Sequence, residues 1–244
     1  MSDETPPPFL DVLHRDERFM VVHKPGGMLV HRGWGRAPVV LVDLVRQHTG
    51  QSVVHPVHRL DRGTSGAVLF ALDPEMARTL AELFDERLVR KRYLALVRGG
   101  APPEGTAPRG VIDHPLRQHK DAEPVPSTTE YRWLASRERI QPRALSLVAA
   151  WPRSGRLHQI RRHLQHLNHP VINDSNYGDT KINRRVRAIY PLKRLGLHAW
   201  SIRFPHPETG AEVHVHAPVP EDMAQTYAEM GFDRSVWVAQ QEPK

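Results

Sequence analysis

One carboxylate stands out within a short polar segment, HRLDRGTSG at residues 58–66, directly before an apolar run. Asp61 is the only acidic residue of the segment, and Arg59 and Arg62 flank it. Neighbouring positive charges favour the ionised form of a carboxyl group, so Asp61 is suited to act as a nucleophile or a base rather than as a proton donor. The competing interpretation is a solvent-exposed turn in which Asp61 caps its own backbone. The spacing alone leaves both interpretations open.

An arginine in the segment SGRLHQIRRHLQHL (154–167) is the second candidate. The pattern predicts an amphipathic helix with Ser154 as its N-cap. Its inner face is predicted to carry three apolar residues, Leu157, Ile160 and Leu164. Arg161 lies about 40° around the axis from the first of these, at the edge of the buried face, whereas Arg162 points to solvent. A buried arginine keeps its charge and needs an anionic partner, and Asp61 is one that the chain offers. The alternative is that Arg161 extends to solvent.

Two further sets of residues carry weaker signals. Tyr93 lies in the alternating segment RKRYLALVR (90–98), a predicted strand, where a tyrosine is usually part of the core. Four histidines follow one another closely: His158, His163, His166 and His169. They scatter around the predicted helix, the segment contains no carboxylate, and HExxH is absent, so we predict no metal site and no cofactor.

The composition favours a polyanionic partner. Among 244 residues, 34 are lysine or arginine and 27 are aspartate or glutamate, which gives a net charge of +7. Such a balance points first to nucleic acid. We expect a phosphate-facing surface among nine basic residues, Arg90, Lys91, Arg92, Arg98, Arg184, Arg185, Arg187, Lys193 and Arg194.

The absence of cysteine excludes disulfides, thiol nucleophiles, zinc fingers and iron–sulfur sites. No apolar run approaches the roughly 18–20 residues that cross a bilayer. The first residues, MSDETPPPF, lack the basic and apolar opening of a signal peptide. We therefore expect a cytoplasmic protein without membrane contact, and a monomer.

The elements that must position these residues alternate between strands and helices. Strands are predicted within 9–31, 65–72, 90–98, 128–135 and 144–150, and a hairpin across PHPETG. Helices are predicted over 37–50, 74–84, 154–167 and 220–231. Asp73 and Pro74 provide a helix N-cap and first position. Because many neighbouring strands are joined without a helix, the predicted fold class is α+β, with a mixed, largely antiparallel sheet and flanking helices.

Residues 99–128 interrupt this pattern with six prolines and four glycines. We interpret them as an insertion loop or a set of short turns rather than a linker between two cores. The predicted organisation is therefore a disordered tail at 1–8, a single domain at 9–234 and a tail at 235–244.

Five segments together resemble the pseudouridine synthases of the RluA class. HRLDRGTSG resembles the signature of that family, KRYLALVRG its second motif and SGRLHQIRRHL its third. VVHKPGGMLVH resembles the N-terminal motif, and HPVINDSNYGD the segment after the third. The motifs occur in the family's order from about residue 9 to about residue 218. The resemblance implies the catalytic fold of the family, without the S4-like RNA-binding domain that precedes it in several members.

The resemblance also implies roles for individual residues. Asp61 matches the catalytic aspartate, and Arg161 matches the arginine paired with it. Tyr93 matches the tyrosine that stacks on the target base, and Arg59 matches the arginine that fills the space left by the flipped nucleotide. The neighbouring Lys24, Arg62, Arg156 and His158 are expected to bind the substrate.

The implied reaction is isomerisation of a uridine in RNA, without metal or cofactor. HRGW at 31–34 and YGDTKINR at 177–184 most resemble the subgroup that modifies the uridine at position 65 of tRNA. Other tRNA or ribosomal RNA uridines remain alternatives, as does a non-catalytic RNA-binding protein on the same fold. A glycosidase or nucleoside hydrolase is a further alternative, but such enzymes normally use two carboxylates.

Overall fold

A computed structural model describes residues 9–32, 39–101, 108–119, 121–138 and 144–238 of the chain. The predicted tail at 1–8, the last two residues of HRGW and residues 239–244 lie outside the described ranges. The strands are β1 (Asp11–Arg15), β2 (Phe19–Lys24), β3 (His55–Pro56), β4 (Ser65–Ala71), β5 (Arg90–Arg98), β6 (Arg109–Asp113), β7 (Leu116–Arg117), β8 (Pro124–Val125), β9 (Thr128–Arg137), β10 (Leu145–Pro152), β11 (Leu197–Pro205) and β12 (Glu212–His216). The helices are α1 (Leu41–Thr49), α2 (Pro74–Asp85), α3 (Gln159–His166), α4 (Thr180–Ile189), α5 (Glu221–Glu229) and α6 (Ser235–Val238).

Ten strands form one sheet with the order β1-β2-β4-β11-β5-β10-β9-β6, to which β3 and β12 add beside β4 and β11. Within the described ranges, all strand pairs are antiparallel except that of β4 with β11. This confirms the predicted α+β class with a mixed, largely antiparallel sheet.

Successive side chains of a strand point to opposite faces of the sheet. On the central strands both faces are buried. On one face, Tyr93 and Ala95 of β5 share a core with residues of α1 and α3. On the other face, Leu94 and Leu96 pack with residues of α4 and α5. The sheet is therefore the middle layer, and the first of these faces carries the candidate tyrosine.

Helix α2 illustrates the local signals that the sequence contains. The Asp73 carboxylate accepts a hydrogen bond from the Met76 amide at 2.8 Å, and Pro74 occupies the first turn. Such a cap satisfies an amide that the helix itself leaves unpaired. Gly50 ends α1 in the left-handed conformation.

The predicted start of the helix at 154–167 is wrong. Helix α3 begins at Gln159, because the Gln159 side chain accepts hydrogen bonds from the Ser154 hydroxyl at 2.7 Å and the Arg156 amide at 3.1 Å. His158 has a φ of 53°, a left-handed conformation that a helix cannot continue through. Leu157, predicted on the inner face, is 44% exposed.

Several elements have no counterpart in the predicted pattern. Within 99–128, β6 extends the sheet by pairing with β9, and β7 pairs with β8, while residues 102–107 and 120 lie outside the described ranges. Helix α4 follows the third motif, and α6 buries Trp237 in the segment expected to be a tail. No helix in the described ranges combines the length and the apolar character needed to span a membrane.

Candidate active site

A pocket at one end of β5 brings together three segments that are distant in the sequence. The loop at 59–64, the strand start at 91–93 and the turn at 154–161 all line it. Six of the predicted site residues face this space: Arg59, Asp61, Tyr93, Arg156, His158 and Arg161. The sequence motifs therefore converge on one site.

The loop that carries Asp61 is a tight turn held against β11. The Thr64 amide donates to the Asp61 carbonyl at 3.0 Å. At the end of the loop, Gly66 has a φ of 121°, and an added Cβ would lie 2.2 Å from the Ala199 carbonyl oxygen. Only glycine fits such a close approach of two backbones, so Gly66 allows β4 to pair with β11 and fixes where the loop ends.

Lys24 and Arg62 connect this loop to the loop at 25–28 through hydrogen bonds. Lys24 is completely buried, and its ammonium donates to the carbonyls of Pro25 (2.9 Å), Met28 (2.8 Å) and Arg62 (3.3 Å). The Arg62 guanidinium donates to the Gly27 carbonyl at 2.9 Å, and the Gly27 amide donates back to the Arg62 carbonyl at 2.7 Å. Neither side chain lines the pocket. Both hold the loop at 25–28 against the loop at 59–64, and the substrate contact predicted for each of them stays a prediction.

Arg161 is buried between two carboxylates. Its Nε and Nη2 donate to the two oxygens of Asp174 at 2.7 and 2.8 Å, and its Nη1 donates to Oδ2 of Asp61 at 2.9 Å. The inward orientation and the pairing with Asp61 are confirmed. The forked guanidinium makes both contacts at once, which fixes the angle at which it meets Asp61.

Asp174 is the residue that sequence reasoning missed. Its side chain is completely buried. Burial raises the pKa of this carboxyl, but hydrogen bonds from Arg161 and from the Tyr177 and Asn176 amides outweigh burial and hold the pKa below its usual range. Asp174 is therefore ionised and neutralises the buried Arg161. The only available sequence signal was its position within HPVINDSNYGD, because no periodicity relates a loop residue to a helix 13 positions earlier.

The loop around Asp174 is itself fixed by α4. The Asn183 side chain accepts from the Asn173 amide at 2.8 Å and donates to the Asp174 carbonyl at 2.9 Å. Asn173 adopts a φ of 61°. The segment after the third motif thus serves to place one carboxylate behind Arg161.

One oxygen of Asp61 remains open to the pocket. Oδ2 accepts from Arg161, whereas Nε2 of His158 lies 3.9 Å from Oδ1. The Asp61 side chain is 25% exposed. Burial lowers the pKa of His158 in spite of the nearby Asp61, and its Nδ1 lies 3.1 Å from the Tyr177 hydroxyl. The arrangement presents an oriented carboxylate oxygen that is able to act as a nucleophile or a base.

An aromatic ring and a free cation complete the pocket. Tyr93 is 7% exposed. Burial, and then the Asp61 carboxylate, raise its pKa, so the phenol stays protonated. Arg59 is exposed at the rim, and among the described residues it forms no ion pair.

The histidines near α3 each have a separate environment. His163 lies within hydrogen-bonding distance of the Thr129 hydroxyl (2.8 Å) and the His114 carbonyl (2.9 Å), and the His166 ring stacks on His114. Nowhere in the described ranges do three histidine, aspartate or glutamate side chains converge as metal ligands would.

This geometry agrees with the comparisons with known proteins. A sequence model of the RNA pseudouridylate synthase family matches residues 18–166. The chain therefore belongs to this family of isomerases and is a pseudouridine synthase. Within the family it is similar to proteins named tRNA pseudouridine synthase C. That of Haemophilus ducreyi is 39% identical, over 91% of this chain and 96% of that protein. That of Salmonella typhimurium is 38% identical, over 91% of this chain and 90% of that protein.

A solved structure supports the same assignment. Human RNA pseudouridylate synthase domain containing 1 superimposes with a TM-score of 0.70 and is 29% identical, covering 86% of this chain and 84% of that one. The predicted family and fold are therefore confirmed.

Proposed function

We propose that this protein converts a uridine of tRNA into pseudouridine, with Asp61 as the catalytic residue. The observation that carries the proposal is the lone carboxylate of Asp61, which opens into the pocket beside Tyr93 and is oriented by Arg161. The similarity to proteins named tRNA pseudouridine synthase C supports tRNA as the substrate. The family resemblance of YGDTKINR supports position 65 as the target within it.

The reaction is balanced without any external reagent. The bond between C1′ of the ribose and N1 of the uracil breaks, the base turns, and C1′ bonds to C5. N1 gains a proton and C5 loses one, so nothing is oxidised or reduced. Asp61 starts the process by attacking the sugar or the base, or by taking a ribose proton. All three routes need a carboxylate oxygen aimed at the bound nucleotide, and the contact with Arg161 holds Asp61 in one orientation.

The pocket argues against a hydrolase. Glycoside hydrolysis normally places two carboxylates on either side of the scissile bond. Asp61 is the only acidic residue lining this pocket among the described residues. The second carboxylate nearby, Asp174, is completely buried and has both oxygens bound by Arg161.

Tyr93 is proposed to bind the flipped uracil, and Arg59 to fill the position that it leaves. A uridine inside a duplex must leave the stack to reach Asp61. The buried ring of Tyr93 then offers a flat surface for the uracil, and Arg59 at the rim fills the vacated position. His158 and Arg156 line the remaining wall and are proposed to contact the substrate.

Substitution of Tyr93 separates stacking from proton donation. Because stacking needs only the ring, Tyr93→Phe is expected to retain turnover within about tenfold of the original enzyme. Tyr93→Ala is expected to lose far more, since stacking of a base on an aromatic side chain contributes about 1–3 kcal/mol. Initial rates of pseudouridine formation with saturating RNA measure both. A phenylalanine variant as inactive as the alanine variant would show that the hydroxyl is essential and refute the stacking role.

Substitution of Arg59 tests base flipping. Extruding a paired base costs a few kcal/mol, and Arg59 is proposed to offset part of that cost. Arg59→Ala is therefore expected to slow turnover on a substrate whose target uridine is paired, and much less on one whose target uridine is unpaired. Single-turnover rates on two RNAs that differ only in that pairing give the comparison. Equal losses on both would contradict the assignment.

Mapping pseudouridine in tRNA and ribosomal RNA, from cells with and without this protein, tests the proposed function and its target. Loss of one tRNA pseudouridine, at position 65, is the expected result. Loss at another tRNA position would refute only the finer assignment, and loss from ribosomal RNA alone would refute tRNA as the substrate.

We further propose that the protein acts in the cytoplasm as a monomer without metal or cofactor. Fractionation, sizing chromatography and assays after dialysis against a chelator test these points.

A further inference from the structure

A second, larger cleft opens at the same end of β5, on the other face of the sheet. Its walls are the start of β5, β6, the middle of β9 and the end of β10. Cross-strand pairing places Trp151 opposite Glu130, and Glu130 opposite Val111, so these three share a face. Tyr93 pairs with Ala150, the neighbour of Trp151 on β10, and therefore lies on the opposite face.

The cleft meets the active-site pocket at the strand ends. Lys91 and Pro152 line both spaces. A chain that leaves the active site past these two residues would enter the cleft directly. The cleft, with a volume of about 790 Å³, is large enough to hold more than a single ion.

The charge of the cleft is strongly positive. Six basic residues line it, Arg87, Arg90, Lys91, Arg109, Arg132 and Arg153, against one acidic residue, Glu130. Arg153 pairs with Glu130 at 2.6 Å. The arginines at 87, 90, 109 and 132 have no carboxylate partner within the described ranges. Four guanidinium groups in one cleft repel one another unless an anion lies among them, and each is able to hold a phosphate through two donors.

An aromatic side chain accompanies these arginines. Trp151 lines the cleft and is half-buried, with the Arg92 guanidinium 5.6 Å from its ring centroid. Basic side chains arranged along the path of a nucleic-acid backbone, combined with an aromatic ring on which a base stacks, are typical of sites for single nucleic-acid strands. An acidic protein segment could pair with the arginines but has no base to stack on Trp151.

We propose that this arginine cleft (Arg87, Arg90, Arg109, Arg132 and Trp151) binds the RNA strand that flanks the target uridine. The strand passes Lys91 and Pro152 on leaving the active site, its phosphates lie among the arginines, and one base stacks on Trp151. The inference rests on the proposed function and adds to it a binding surface outside the catalytic pocket. It predicts that the enzyme recognises an RNA segment that the active site alone does not reach.

A double variant, Arg109→Gln with Arg132→Gln, tests the cleft. The matched control is Arg15→Gln with Arg78→Gln, which removes the same charge from exposed positions outside both spaces. The dissociation constant of each protein is measured for a full-length tRNA transcript over a range of salt concentrations. It is also measured for a short stem-loop that contains only the target uridine and its nearest neighbours. Single-turnover rates are recorded at saturating concentrations of both RNAs.

The cleft variant is expected to bind full-length tRNA at least tenfold more weakly than the control. The slope of log affinity against log salt should fall by about 1.4 to 1.8, since each phosphate contact contributes about 0.7–0.9. Binding of the short stem-loop and both saturating rates should stay within twofold. Equal binding of full-length tRNA by the cleft variant and the control would overturn the proposal, as would equal weakening on both RNAs. The dissociation constants do not depend on whether the protein forms product. Failure of the proposed function is therefore recognised separately, because the wild-type protein would then form no pseudouridine.

Discussion

Asp61→Asn is expected to abolish turnover. Asparagine keeps the shape of the side chain and is able to accept the hydrogen bond from Arg161, but its amide is neither a base nor a nucleophile. A loss of at least about a thousandfold is expected, within the range that positioned proton-transfer groups contribute. RNA affinity should remain within a few-fold and even increase slightly, because a negative charge leaves a basic site. Tritium release from RNA labelled at C5 of uridine measures the rate, and filter binding measures the affinity.

Asp85→Asn is the matched control for this variant. Asp85 is exposed at the end of α2, outside the pocket, so the same chemical change there should leave turnover unaltered. Retention of a tenth or more of the normal rate by the Asp61 variant would exclude Asp61 as the catalytic group.

Arg161→Lys is expected to lower the rate at least tenfold, which corresponds to about 1.4 kcal/mol. The arginine uses three nitrogens to bind two carboxylates at 2.7 to 2.9 Å. Lysine keeps the charge but offers one nitrogen, so it cannot hold Asp174 through two bonds and orient Asp61 as well. The loss should be in kcat, with the dissociation constant for RNA unchanged, since Arg161 acts through Asp61 as a positioning residue. Single-turnover kinetics and equilibrium binding separate the two quantities.

The neighbouring residue provides the control. Arg162 is half-buried, and its Nη1 donates to the Arg117 carbonyl at 2.8 Å, a bond that lysine is able to replace. Arg162→Lys should cost little in turnover, and circular dichroism should show both variants folded. If the two variants lose activity equally, the buried fork of Arg161 is not what orients Asp61.

The sequence predicted those parts of the site that depend on local patterns. Asp73 and Pro74 marked the start of α2, and the alternation of β5 placed Tyr93 on one face. Arg161 points inward as predicted, although Leu157, from which its angular position was measured, is exposed and the predicted helix began five residues too early. That error arose because Gln159 folds its side chain back over the preceding turn, a contact that periodicity does not report.

The contacts that the sequence could not predict are those made between distant segments. Asp174 lies in a loop whose position depends on Asn183 of α4, and Lys24 is held by carbonyls of two different loops. Both residues are ionisable and buried, and burial of such a group is decided by the partners that tertiary structure supplies. The expected substrate contact of Lys24 therefore gave no indication that its amino group donates to three backbone carbonyls.

The most direct test of the central claim is incubation of the purified protein with tRNA labelled at C5 of uridine, followed by quantification of tritium release and of free uracil. Replacement of the C5 hydrogen without loss of the base distinguishes isomerisation from hydrolysis. The account predicts release approaching one tritium per tRNA molecule for the wild-type protein, none for Asp61→Asn, and no free uracil from either. Release of free uracil, or equal tritium release by the two proteins, would contradict it.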